Sequence, residues 1–216
     1  MEKFSINPIS ANQNLKKLIQ SHGPLLVAAI YTLTTLLAMV WINFMHDEGM
    51  LAYMCSKLLI EQPLSAFFAQ SLNPGGALLS LPAALLGWKP FLVWHKILAG
   101  AAIYFIGETV RTLKGNGLLA SILLALSPLF IMVTMAGQSN LYAIFYTSLA
   151  LYLLIVRKNL FLSGLILGLM VWARYEFFLI SMGLAAYSLF TASPAVTNTI
   201  NPKLSPKLRF FLGLIS

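Results

Sequence analysis

PLLVAAIYTLTTLLAMVWINFM, residues 24–45, runs directly into His46-Asp47-Glu48-Gly49, and this junction decides the fold class. No charged side chain interrupts Pro24 to Met45. As a helix rising roughly 1.5 Å per residue, that run crosses a hydrocarbon core of roughly 30 Å. Trp41 near its far end suits a headgroup anchor. The rest of the 216-residue chain agrees: 59% of it is apolar and only 9% charged. A soluble domain carries about a quarter of its residues charged, so a soluble enzyme is excluded, and the chain is too apolar for disorder. The expected class is all-α, a polytopic transmembrane helical bundle.

The net charge of +8 does not indicate nucleic acid, because the fourteen Lys and Arg residues recur between apolar blocks, as orientation signals do. The single cysteine, Cys55, excludes an internal disulfide and a cysteine zinc cluster. Residues 1–23 are polar and hold Lys3, Lys16 and Lys17. The apolar run that follows is too long for a signal-peptide core and has no small-residue cleavage site, so it reads as a retained first span.

Residues 46–61 change character. Met50, Leu51, Met54, Leu58 and Leu59 recur at helical spacing, with Lys57 and Glu61 nearer the other face. That pattern predicts a helix lying in the membrane interface. The next stretch, 62–88, is broken by Pro63, by Asn73-Pro74-Gly75-Gly76 and by Pro82. Its apolar run Ala77 to Gly87 is too short to cross, so it is expected to be a re-entrant or surface helix. Further spans are expected at 90–110, 117–136 and 141–156. Residues 160–190 are too long for one span and are read as a hairpin of two, turning at Arg174-Tyr175-Glu176.

Counting positive charges supports a cytoplasmic N-terminus. Lys3, Lys16, Lys17, Arg111, Lys114, Arg157, Lys158, Lys203, Lys207 and Arg209 then lie inside. Only Lys57, Lys89, Lys96 and Arg174 lie outside or near that side. The expected layout is a cytoplasmic segment 1–23 and a membrane module 24–190 with its first outer loop at 46–89. A cytoplasmic loop 191–207 follows, and residues 208–216 read as the start of a further span.

This layout puts the functional polar groups on the non-cytoplasmic face. Asp47 and Glu48 are two carboxylates at a membrane boundary, suited to a base or a metal ligand. They equally suit a helix N-cap and its dipole. Arg174-Tyr175-Glu176 amid apolar residues reads as functional or as a self-paired turn. Gln138-Ser139-Asn140 is a polar loop. Lys96 reads as a snorkelling side chain or a phosphate ligand. Glu108 has Arg111 at i+3, which predicts a local ion pair. Gly164 and Gly168 form a helix-packing pair. Phosphate-binding glycine loops, metalloprotease motifs and nucleophile elbows are absent.

The order of these parts resembles the GT-C superfamily of membrane glycosyltransferases, which use polyprenyl-phosphate sugars. His46-Asp47-Glu48-Gly49 through Tyr53 is similar to the family's first outer loop. Residues 138–145 and 150–154 are similar to its second outer loop and the span that follows, and Gly164, Gly168-Leu169 and Ala173-Arg174-Tyr175-Glu176 to its pattern of small residues ending in an Arg with an acidic residue nearby. The resemblance covers about residues 24–190. It implies that Asp47 takes the acceptor's hydroxyl proton or orients that group, with Glu48 supporting it or helping to bind a divalent metal where one is used. It implies that Arg174, Lys96 and Lys89 hold the donor phosphate, and that Gln138, Asn140, Tyr175 and Glu176 line the substrate loop. Membrane lipid and a lipid-linked sugar would be the ligands, in a bacterial inner membrane ahead of the endoplasmic reticulum. Three departures stand out. Residues 138–140 carry no second acid, the Lys-Pro-Pro-Leu motif of the aminoarabinose-transferase branch is missing from 61–90, and the chain is about half the family's usual length. The rival readings are a non-catalytic subunit that packs against a partner, with any missing half supplying the acceptor contacts, and a lipid-linked-sugar transporter.

Overall fold

The computed structural model describes residues 8–41, 47–63, 74–174 and 178–191. Among them the chain is all-helical, with no strand. The helices are α1 (Pro8–Trp41), α2 (Asp47–Glu61), α3 (Pro74–Leu85), α4 (Trp88–Thr112), α5 (Gly117–Ala125), α6 (Pro128–Met135), α7 (Asn140–Leu151), α8 (Leu160–Ala173) and α9 (Phe178–Thr191). A π-helical turn, Tyr152–Val156, extends α7.

Among the described residues two helices are long and apolar enough to cross a membrane: Ser21–Trp41 within α1, and α4 with its 25 residues. The bent pair α5–α6 makes a third if it is one span. Residues 117–136, expected as one span, are bent by 59° between α5 and α6. Ser127-Pro128 explains the break, since proline at the first position of α6 disfavours helical backbone at the residue before it. Asn140–Val156 and α8 are shorter apolar helices, the latter of 14 residues. At roughly 1.5 Å per residue, each falls short of the bilayer core.

The core forms around α4, which buries residues along its length from Phe91 to Thr109, the polar His95, Lys96 and Glu108 among them. One face of α1 packs on it through Ala28, Tyr31 and Thr35 at three- and four-residue spacing. The opposite face, with Leu25, Leu26, Ile30, Leu33 and Leu37, is exposed. An exposed stripe of this kind suits hydrocarbon, not water. On the other side of α4 stands α7, and α8 packs in turn on α7, with the Ser163 hydroxyl donating to the Ala150 carbonyl at 3.0 Å. Gly164 is buried on this contact face of α8 together with Leu167, Met170 and Ala173.

Glycine lets two helices approach where a side chain cannot fit. A Cβ on Gly107 would overlap the Ser121 hydroxyl and lie 2.6 Å from Pro24 Cβ, so α1, α4 and α5 converge there. A Cβ on Gly75 would lie 2.5 Å from the Leu169 carbonyl and 2.7 Å from Ala173 N, so the start of α3 is wedged against α8.

Helix α2 lies against α3, with Cys55 and Leu59 packed on Ala77. Met50, Leu51, Met54 and Ile60 remain exposed. Burial pushes the Cys55 thiol up to about 11. Between its ordinary value of 9.0 and that value the folded chain holds the proton more tightly than the unfolded one, so rising pH destabilises the fold across that window. At pH 8 about one thiol in a thousand is ionised. Maleimide is therefore expected to label Cys55 at least about a hundredfold more slowly in the folded protein than after denaturation. Equal rates would show that Cys55 is not packed beneath α3.

Candidate functional site

Asp47 and Glu48 are the first two residues of α2. The next residue, Gly49, is buried, and a Cβ there would sit 2.9 Å from the Ala136 carbonyl and 3.1 Å from that of Gly137. The first turn of α2 therefore rests directly on the turn that follows α6. Gly137 has φ +66°, a backbone conformation that favours glycine, and it reverses the chain there. Gln138 N then bonds to the Val133 carbonyl (3.1 Å), and Tyr142 N to the Ser139 carbonyl (3.0 Å), which starts α7.

The end of α8 reaches the same loop. Arg174 leaves the helix in an extended conformation and donates from Nη1 to the Ser139 hydroxyl at 2.9 Å. Three segments far apart in sequence thus meet at one end of the bundle: the acidic start of α2, the loop Gln138-Ser139-Asn140, and Arg174. Gln138, Asn140 and Arg174 are half-buried, and Ser139 is buried. Tyr175 and Glu176 lie outside the described residues.

The two lysines expected to join this group are placed differently from each other. Lys89 is exposed in the first turn of α4, beside Trp88, which packs edge-on against Tyr53 of α2 at 5.2 Å. Lys96 does not extend outward as a snorkelling side chain would. It is 1% exposed, and its ammonium donates to the carbonyls of Thr134 (2.6 Å) and Met135 (3.4 Å). These are the last carbonyls of α6, which have no partner within the helix. A cation there also meets the negative end of the helix dipole. Lys96 thus caps α6 and fixes the turn beneath the site. Lys96→Met should lower stability by about 2 kcal/mol, the scale of a charged hydrogen bond. Thermal melting in detergent tests this. An unchanged melting point combined with weakened donor binding would return Lys96 to phosphate binding.

Sequence reasoning missed the aromatic row behind the site. Tyr53, Trp88 and Phe91 contact one another, Phe91 meets His95 at 4.5 Å, and His95 meets Tyr142 at 5.1 Å. His95 is fully buried and donates from Nδ1 to the Phe91 carbonyl (3.0 Å), while its Nε2 has no partner among the described residues. Tyr142 accepts from the Ser80 hydroxyl (2.7 Å), and Tyr146 donates to the Gly75 carbonyl (2.8 Å), so both tyrosines fasten α3. The spacing of Trp88, Phe91 and His95 at three and four residues was the available signal. Among the described residues no three of His, Cys, Asp and Glu converge as a metal-ligand set.

No protein-family model, curated protein or solved structure matches this chain.

Proposed function

We propose that the chain belongs to a membrane glycosyltransferase of the GT-C type. It would transfer a sugar from a polyprenyl-phosphate donor to an acceptor hydroxyl on the non-cytoplasmic side. One observation carries the reading: the carboxylate-bearing first turn of α2, the polar loop 138–140 and Arg174 are drawn together at one end of an apolar helical bundle. The opposite end holds Arg111, Lys114, Arg157 and Lys158, which favours a cytoplasmic placement for that end.

In this reading the acceptor oxygen attacks the anomeric carbon while the bond from that carbon to the phosphate oxygen breaks. The phosphate leaves with the electron pair, and the acceptor proton passes to Asp47. Charge grows on the departing phosphate, so fixed positive charge accelerates the step. Arg174 supplies it, with the exposed Lys89 nearer the headgroup level. Helix α2 lies in the interface with Met50, Leu51 and Met54 toward the lipid. Helix α3, too short to span, enters as a re-entrant segment whose wedged glycines need the cover of α7 and α8. The test is transfer from a radiolabelled polyprenyl-phosphate hexose in liposomes. Release of polyprenyl phosphate coupled to a glycosylated product supports the reading, and an intact donor with every acceptor class overturns it.

A non-catalytic subunit is the second reading. It is favoured by the uncharged Gln138-Ser139-Asn140, where family members often carry a further acid. A subunit would tolerate Asp47→Asn in its assembly and show no transfer alone.

A further inference from the structure

The end of the bundle opposite the candidate site carries a feature that the transfer reading does not use. Among the described residues only two other than glycine have positive φ, and both are lysines: Lys114 at +64° and Lys158 at +53°. Each stands just past a helix end. At the end of α4, Lys114 N bonds to the Arg111 carbonyl (3.0 Å) and Gly115 N to the Val110 carbonyl (2.9 Å). This is the Schellman arrangement, and its left-handed position normally holds glycine. Lys158 follows the π turn in a wider version of this ending, with Asn159 N on the Leu153 carbonyl at 2.9 Å, one residue further back than the Schellman bond. A lysine in this conformation is strained relative to glycine. Its occurrence at both exits of the same end calls for a use of the charge.

The two exits are joined. Phe105 of α4 packs on Tyr152 at 5.0 Å, and Arg157 lies over the Tyr152 ring while donating to its hydroxyl at 2.9 Å. Arg111 donates to the Ser21 carbonyl, so α1 arrives at this level too. Ser21 is where the apolar part of α1 begins, and Arg111 is where α4 ends. The cations therefore lie at the boundary of both candidate spans. Lys16 and Lys17 stand on α1 just before that boundary. Arg111, Lys114, Arg157 and Lys158 are all exposed, and the one acidic residue among the described residues at this end, Glu108, is paired with Arg111.

We infer that this end is a seat for anionic phospholipid headgroups, with Lys114 and Lys158 as its principal contacts. The shared chemistry is a phosphate held by ammonium groups, and the membrane-boundary level assigns it to lipid. The test exploits opposite signs. Lys114→Gly with Lys158→Gly relieves the backbone and removes two charges. In a zwitterionic detergent this double variant should melt at or above the wild-type temperature. Added phosphatidylglycerol should raise the wild-type melting temperature, and the variant should need roughly thirty-fold more of it for the same shift, the scale of two surface charges. Lys114→Arg with Lys158→Arg, which keeps the charge, should respond like wild type. The inference is overturned if the glycine variant keeps the full phosphatidylglycerol response, if phosphatidylcholine acts equally on wild type, or if inorganic phosphate reproduces the shift.

Discussion

Asp47→Asn is expected to lower glycosyl transfer by about two to four orders of magnitude, the usual worth of a positioned general base. The melting temperature should stay near that of wild type. Asparagine keeps the size of the side chain and remains a good helix N-terminal residue, so the start of α2 is preserved. The measurement is initial rate against donor concentration in liposomes, with melting alongside. A fall in kcat at constant KM assigns Asp47 to the transfer step. Full activity in the variant removes Asp47 from the chemistry. A loss of folding together with activity would make Asp47 a cap of α2 and nothing more. Arg174→Lys separates the positioning role: its charge stays, but the fork that engages Ser139 is lost, so KM for the donor should rise more than kcat falls.

The second large effect concerns the crossing of α1, α4 and α5. Gly107→Leu is expected to destabilise the protein by about 3 kcal/mol or more, at the upper end of overpacking costs. Even a Cβ at this position overlaps the Ser121 hydroxyl, which is buried and bonded to the Ile103 carbonyl, and approaches the Pro24 ring, which cannot turn aside. Relief requires α1 or α5 to move away from α4. Gly183→Leu is the matched control, since a Cβ there meets nothing within 4 Å. Melting in detergent and retention on gel filtration distinguish the two. Equal behaviour of the two variants would mean that the three helices do not converge at Gly107.

The long elements were legible because they rest on local signals. Residues 90–110, read as a span, are helical from Trp88 to Thr112, and the Arg174 break falls between α8 and α9. The Glu108–Arg111 ion pair follows from helical spacing alone. Lys96 was not legible in this way. Its partners are thirty-eight and thirty-nine residues away, and nothing near Lys96 announces the end of another helix. The bend at Ser127-Pro128 carried a local signal, but the uniform apolarity of 117–136 outweighed it. At the candidate site, residue types pointed to Asp47, Gln138 and Arg174, whereas the contact that unites two of these segments runs through Gly49, a residue with no side chain to notice.

The seat of α3 has a consequence for how the chain is made. Gly75 is held by Tyr146 of α7 and by the backbone of α8 out to Ala173. Both walls are encoded downstream of the segment they hold. At ribosomal rates of about 5–20 residues per second, the roughly one hundred residues from Gly75 to Ala173 take about 5–20 seconds to appear. During that interval the nascent α3 can pack on α2 but lacks both walls that hold Gly75. The seat is completed backwards, with an early segment fixed only after a late one has arrived.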